Sequence, residues 1–170
     1  MPNKALFLDR DGVVNKDSHF VIRKEDFIWT EGIFEICRHF LSKNYLIIII
    51  TNQSGIARNY FSEDDLLGLH EYMVSVLNGE NIKITDIYYC SSIDDNHPNR
   101  KPNPGMFLKA MEKYSIDMFS SVSIGDKERD IIAARKAGVG TNILFTKNTI
   151  TQTSAQYTVK NLKDVLSLCI

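Results

Sequence analysis

Residues 5–12 read Ala5-Leu6-Phe7-Leu8-Asp9-Arg10-Asp11-Gly12, an apolar tetrad that ends abruptly in three charges and a glycine. A short run that is apolar at every position suits a strand buried on both faces of a parallel sheet. Carboxylates placed directly after such a strand emerge at its carboxyl edge, where open α/β sheets bind ligands, and Gly12 lets the chain turn sharply away. Taken alone, a solvated turn accounts for Asp-x-Asp-Gly as well as a ligand site does. The remainder of the chain has to separate the two.

Outward from this stretch the pattern returns. Tyr45 to Thr51 is a second apolar run, and Asp86 to Cys90, Val122 to Ile124 and Thr141 to Phe145 read as further strands. Between them apolar residues fall at helical spacing: Ile33, Ile36, Cys37, Phe40 and Leu41 form one stripe, Leu66, Leu69, His70, Met73 and Leu77 another. Ser62 with Asp65 three residues on predicts a capping box, and Asn78-Gly79 a left-handed stop. Pro104 suits the first turn of a helix through Met106, Phe107, Ala110 and Met111, and Gly138 the close of one through Ile131, Ala134 and Ala137. After the Thr/Gln/Ser-rich stretch Thr146 to Gln156, a short edge strand and a last helix around Leu162 to Leu168 are expected. This alternation predicts an α/β fold, a Rossmann-like parallel sheet with helices on both faces and right-handed crossovers. With neither a repeat nor a linker in view, residues 1–170 are expected to form one domain.

Composition narrows the function classes. At 44% hydrophobic residues the chain can bury a core without disulfides or structural metals. A net charge of -1 supplies no field for steering nucleic acid or an anionic membrane, so no nucleic-acid or membrane partner is expected. The longest apolar run, Tyr45 to Ile50, is far short of the roughly 20 residues that span a bilayer. Met1 to Leu8 lacks the pattern of a secretory signal, and the scattered Cys37, Cys90 and Cys169 fit reduced thiols packed as small core residues. A cytoplasmic protein is expected; the sequence leaves its oligomeric state open.

Each later strand delivers polar groups to the same predicted edge. Thr51-Asn52-Gln53 offers a hydroxyl and amides as neutral phosphate partners. Arg100-Lys101-Pro102 brings two cations after the third strand, and Gly125-Asp126-Lys127-Glu128-Arg129-Asp130 more carboxylates after the fourth. Two carboxylates for a metal, a hydroxyl and a cation for phosphate, and one further carboxylate are what phosphoryl transfer through an aspartyl intermediate requires.

This ordered set of four motifs, from Lys4 to Phe145, resembles the haloacid-dehalogenase-like phosphatases. The resemblance implies a small-molecule phosphate ester as substrate, with Asp9 as nucleophile and Asp11 as general acid and then base. It implies Thr51 and Lys101 as phosphoryl holders, and Mg2+ held by Asp9, Asp126 and the backbone carbonyl of Asp11, with Asp130 ordering the loop behind them. Magnesium's preference for hard oxygen ligands and retained waters makes two carboxylates and a carbonyl sufficient.

The longer matches Asp9 to Asn15, Thr51-Asn52-Gln53-Ser54-Gly55-Ile56-Ala57-Arg58, Arg100-Lys101-Pro102 with Pro104-Gly105-Met106, and Gly125-Asp126-Lys127 are similar to the D-glycero-D-manno-heptose 1,7-bisphosphate phosphatases. The histidinol-phosphate phosphatases share most of them and remain the alternative. Neither branch carries a large cap domain, and none is expected here. A second phosphate calls for cations, for which Arg58 and Arg100 are the candidates, whereas an amine calls for carboxylates such as Asp94 and Asp95. Lys127 is a further candidate for phosphate, or for tuning Asp126, while Glu128 and Arg129 read as a charged helix start.

One departure stands out. Both branches carry a zinc loop of three cysteines and a histidine before the Arg-Lys-Pro element, and here the loop offers only Cys90 and His97. Two ligands cannot complete a tetrahedral structural site, so zinc is not expected. His19 and Phe20, in the loop after the nucleophile, read equally as substrate contacts or as loop packing; Trp29, His39 and His70 read as scaffold or surface.

Overall fold

Residues 2–170 are described by a computed structural model. Six parallel strands make one sheet: β1 (Lys4–Leu8), β2 (Tyr45–Asn52), β3 (Asp86–Cys90), β4 (Val122–Gly125), β5 (Thr141–Phe145) and β6 (Tyr157–Val159), in the order β3-β2-β1-β4-β5-β6. The crossovers carry α1 (Ile33–Ser42), α2 (Glu63–Gly79), α3 (Gly105–Tyr114) and α4 (Glu128–Lys136). This is the doubly wound α/β arrangement, without a large inserted cap. The region between β1 and α1 holds loops and one 3-10 turn at Lys24–Asp26.

The period of two in a strand explains how one apolar run serves two cores. Leu6 and Leu8, with Ile47 and Ile49, face a layer that contains Ile33, Ile36, Phe40, Leu69, Met73 and Leu77 of α1 and α2. Ala5 and Phe7, with Ile48 and Ile50, face Met106, Phe107, Ala110, Ala133 and Ala134 of α3 and α4. All eight strand residues are at most 1% exposed, as strands covered on both faces must be.

Local signals hold with small shifts. Ser62 and Asp65 form the expected reciprocal capping box at the start of α2. The helix runs through Asn78-Gly79, however, and the left-handed residue that follows is Asn81 (φ 58), since Asn also tolerates that conformation. The last helix is a 3-10 helix, Leu162–Ser167, pinned by buried Leu162 and Val165. Cys37 and Cys90 are buried, but Cys169 is exposed rather than packed in the core. Among the described residues no helix is long and apolar enough to cross a membrane.

Strand order locates the ligand crevice. From β1 the chain winds outward through β2 and β3, then returns to the other side of β1 as β4 and winds the opposite way. Loops leaving β1 and β4 therefore diverge at their carboxyl ends, and a crevice opens between them. Asp9 and Asp126 are the first residues after those two strands.

Candidate active site

The β1 loop is a tight turn fixed by its own backbone. Val14 N donates to Arg10 O at 2.8 Å and Gly12 N to Asn15 O at 2.7 Å. Gly12 has φ 98, and a Cβ there would collide with the carboxylate of Asp126, so the turn and the approach of the β4 loop both require glycine.

Lys101 sits at the centre of the crevice, 3% exposed. Its Nζ donates to Asp9 Oδ1 at 2.9 Å and to Ile50 O at 2.9 Å, and lies 2.8 Å from Asp130 Oδ1. The loop that carries it is tied to β2 by a reciprocal pair: Asn52 Nδ2 donates to Lys101 O, and Lys101 N to Asn52 Oδ1, each at 3.1 Å. Burial works against the Lys101 ammonium, but the charges of Asp130 and Asp9 outweigh it and raise its pKa above the ordinary lysine value.

The carboxylates are crowded. Ligand oxygens of Asp9, Asp126 and Asp130 all lie within 4.8 Å of one another. Burial and the charge of Asp130, opposed by Lys101, push Asp9 up to about 6. Burial and the charges of Asp9 and Asp130 push Asp126 up to about 8. Asp130 goes the other way: Lys101 overcomes its burial and holds it below the usual range. Asp130 Oδ2 also accepts Lys127 N at 3.0 Å, capping α4, while Asp126 Oδ1 is buried with no hydrogen-bond partner. Three hard oxygen donors, mutual repulsion and an unpartnered carboxylate oxygen form a set that suits a small divalent cation such as magnesium.

Asp11 is fixed by four side-chain donors. Arg10 reaches it with Nε and Nη2, the latter at 2.9 Å; Asn15 Nδ2 donates at 3.0 Å and Gln53 Nε2 at 2.8 Å. Gln53 Nε2 also meets Thr51 Oγ1 at 2.9 Å, joining the first two motifs. Arg10 is itself fully buried and meets His70 Nε2 at 3.3 Å. Burial and that guanidinium push His70 down to about 4, so it is a neutral structural group at ordinary pH.

An open cavity leads away from Asp9. Asp9, Asp11, Asp17, His19, Phe20, Thr51, Asn52, Gln53, Ser54, Lys127 and Arg129 line it. His19 and Phe20 are both left-handed (φ 58 and 49), and Phe20 packs edge-on against Tyr60 at 4.8 Å as well as facing the cavity. Of the candidates read from sequence, Asp9, Asp11, Thr51, Asn52, Gln53 and Lys127 line this space, while Lys101 and Asp126 do not line it but stand beside Asp9. Arg58 and Arg100 are not among the lining residues. Arg100 instead pairs with Asp95 Oδ1 at 2.9 Å and donates to Ser92 O at 3.0 Å. Asp17 and Ser54 line it without a site role read from the sequence, and Arg129, read as part of a charged helix start, lines it too. Asp17 lay in an unpatterned loop and took its place by pairing with Lys127 Nζ at 2.9 Å. Arg129 had a legible signal, its position in the first turn of a helix that starts at the crevice.

Comparison with known proteins agrees with this geometry. Residues 5–159 match the family model described as polynucleotide kinase 3 phosphatase. The chain is 45% identical to the D-glycero-alpha-D-manno-heptose-1,7-bisphosphate 7-phosphatase of Campylobacter jejuni, covering 98% of this chain and 96% of the relative. It is 40% identical to the D-glycero-beta-D-manno-heptose-1,7-bisphosphate 7-phosphatase of Helicobacter pylori, covering 96% and 95%. Among solved structures, the D,D-heptose 1,7-bisphosphate phosphatase of B. bronchiseptica, complexed with magnesium and phosphate, superposes with a TM-score of 0.86 at 29% identity over 96% of both chains.

Proposed function

The chain belongs to the haloacid-dehalogenase-like phosphatases, close to the heptose-1,7-bisphosphate 7-phosphatases, and from that premise we propose that it removes the 7-phosphate of D-glycero-D-manno-heptose 1,7-bisphosphate in a magnesium-dependent reaction. The observation that carries the chemistry is the buried Lys101 ammonium bridging Asp9 and Asp130 beside Asp126 at the β1/β4 crevice. Similarity over almost the whole length of the curated relatives supports the substrate.

In this reading an Asp9 carboxylate oxygen attacks phosphorus in line with the ester oxygen, whose bond breaks as the aspartyl phosphate forms. Lys101 stays by Asp9 and offsets the repulsion between two anions; Thr51 Oγ1 and the Asn52 and Gln53 amides offer donors to the phosphoryl oxygens. Asp11 gives a proton to the leaving alkoxide and takes one from the water that cleaves the intermediate, held in place by Arg10, Asn15 and Gln53. Asp9, Asp126 and the Asp11 carbonyl would hold magnesium, with Asp130 close by, and the ion supplies positive charge for the transferring phosphoryl oxygens.

Histidinol phosphate would need a free carboxylate in the cavity for its amine. Besides Asp9 and Asp11, the carboxylate that lines the cavity is Asp17, and Lys127 already holds it. We assign the work to the cytoplasm, because three free cysteines suit a reducing compartment. The test is phosphate release across heptose bisphosphates, sugar monophosphates, histidinol phosphate and a 3'-phosphorylated oligonucleotide. Highest kcat/KM on a heptose 1,7-bisphosphate is expected; a preference for any of the others refutes the substrate.

A further inference from the structure

Arg10 is fully buried, so its guanidinium has to find acceptors inside the protein. Nε and Nη2 meet the carboxylate of Asp11, with Nη2 at 2.9 Å from Oδ1 and Oδ2 alike, and Nη2 also donates to Val21 O at 2.9 Å. Nη1 meets His70 Nε2 at 3.3 Å, its one hydrogen-bond partner among the described residues. Arginine can only donate, so this contact uses the Nε2 lone pair and puts the ring proton on Nδ1. A protonated His70 would set donor against donor and cation against cation; the neutral ring that burial and Arg10 impose is the form the contact needs.

The kind of acceptor matters. A carboxylate in its place would compete with Asp11 for the guanidinium, whereas a neutral imidazole holds one arm and leaves the charge to Asp11. The ring is itself held: His70 is 5% exposed within α2, on the face of buried Leu66 and Met73, and stands edge-on to the ring of Tyr89 at 6.1 Å. At the other end Asp11 lines the cavity with its side chain 20% exposed. A line of contacts therefore runs from a helix covering the sheet, through a buried cation, to a carboxylate at the cavity. We propose that His70 is a positioning residue for the reaction: by accepting from Arg10 it fixes the guanidinium that orients Asp11 for proton transfer. This deepens the phosphatase reading and rests on Asp11 as its general acid and base, and it adds a residue that does not line the cavity.

The experiment compares wild type with two apolar variants, His70→Leu and the more adaptable His70→Met, with His70→Gln, which keeps a neutral acceptor, and with Asp11→Asn as reference. Thermal unfolding checks that each folds. The rate is kcat on the alkyl phosphate that wild type hydrolyses best. Two further readouts separate positioning from general damage. Inhibition by inorganic phosphate in magnesium reports the phosphoryl site without a proton transfer, and the single-turnover rate with p-nitrophenyl phosphate reports attack on phosphorus when the phenolate departs without a proton. The apolar variants should lose roughly 10- to 100-fold in kcat, part of the help that general acid-base catalysis gives. Phosphate inhibition and the aryl-ester rate should stay near wild type, and His70→Gln should recover most of the loss. An unchanged kcat in a folded apolar variant, a loss shared by the aryl ester or by phosphate inhibition, or no recovery in His70→Gln overturns the role of His70; Asp11 stands as long as Asp11→Asn slows the alkyl ester far more than the aryl one. An Asp11→Asn variant that slows both esters alike overturns the acid-base reading and the proposal with it.

Discussion

Two loops leave the same edge of the sheet and are built on opposite principles. The one after β3, residues 91–103, closes on itself except at Lys101, which enters the crevice: Arg100 holds Asp95 and Ser92 O, Asn103 Nδ2 donates to Asp95 O at 2.8 Å and His97 O at 3.1 Å, and Asn99 N donates to His97 Nδ1 at 3.1 Å. The one after β4, Asp126 and Lys127 leading into the first turn of α4, is left open: Asp126 Oδ1 and Arg129 Nε are buried without partners, and Asp126 is pushed up to about 8 by burial and its neighbours. Both loops are rich in charge, so charge content does not tell them apart. Partner accounting does. An unpaired buried polar atom costs about 1–3 kcal/mol, a cost that a bound ligand or water relieves.

The largest effect belongs to the open side. Asp9→Asn should reduce turnover to background, because an amide oxygen is a poor nucleophile toward phosphorus. The same change removes one of the crowded charges, so without metal the variant should unfold at a temperature no lower than wild type. Residual turnover in single-turnover phosphate release would remove the nucleophile assignment; a large fall in metal-free melting temperature would show that the crevice is not under repulsion. Next in size is Asp11→Asn. A neutral side chain can neither donate to the leaving oxygen nor activate water, and the loss should be roughly 100- to 10,000-fold in kcat. A rate near wild type would leave Asp11 as scaffold for Arg10 alone.

Why one side was legible from sequence and the other less so follows from the same contrast. The sheet, its two covered faces and the switch between β1 and β4 were readable because unbroken apolar runs such as Tyr45 to Ile50 leave few alternatives. Asp9, Asp11 and Asp126 come directly after β1 and β4, Thr51 ends β2 with Asn52, and Lys101 sits on the loop after β3, so strand order brought them to one edge. Arg10 was hidden inside its own motif: a fully buried arginine clamping Asp11 has no sequence pattern distinct from a surface one. Asp17 was hidden because loop closure decided its place, and Arg129, legible as part of a charged helix start, was not singled out because helix rotation decides which side chain of that run faces the cavity.

Magnesium should sharpen the comparison with pH. The folded pKa of Asp126, about 8, exceeds its unfolded value near 3.8, so between these limits the metal-free native state holds more protons. Stability without metal therefore falls as pH rises towards 8. His70, pushed down to about 4, acts oppositely and only below its unfolded value of 6.5, leaving pH 6.5 to 8 for the carboxylates. A metal must displace those protons, so the rise in melting temperature on adding magnesium over EDTA should grow from pH 6.5 to 8. A rise independent of pH would mean that protons and magnesium do not compete for Asp126.

The smallest effect is expected in the closed loop. His97 Nδ1 accepts from Asn99 N and lies 3.6 Å from Cys90 Sγ, a contact that holds the loop to the end of β3. Two such side chains are too few for a tetrahedral zinc site, so the contact should act as an ordinary local hydrogen bond. His97→Ala should then cost about 0.5–1.5 kcal/mol, a drop of roughly 1–6 °C in melting temperature for a domain of this size. Any stabilisation by micromolar zinc should come from the Asp9, Asp126 and Asp130 cluster, since no third ligand joins the Cys90–His97 pair among the described residues, and should be equal in wild type and His97→Ala. Stabilisation by zinc that disappears in His97→Ala would show that the loop after β3 is also an open site awaiting a ligand, and the contrast between the two loops would fail at its quieter end.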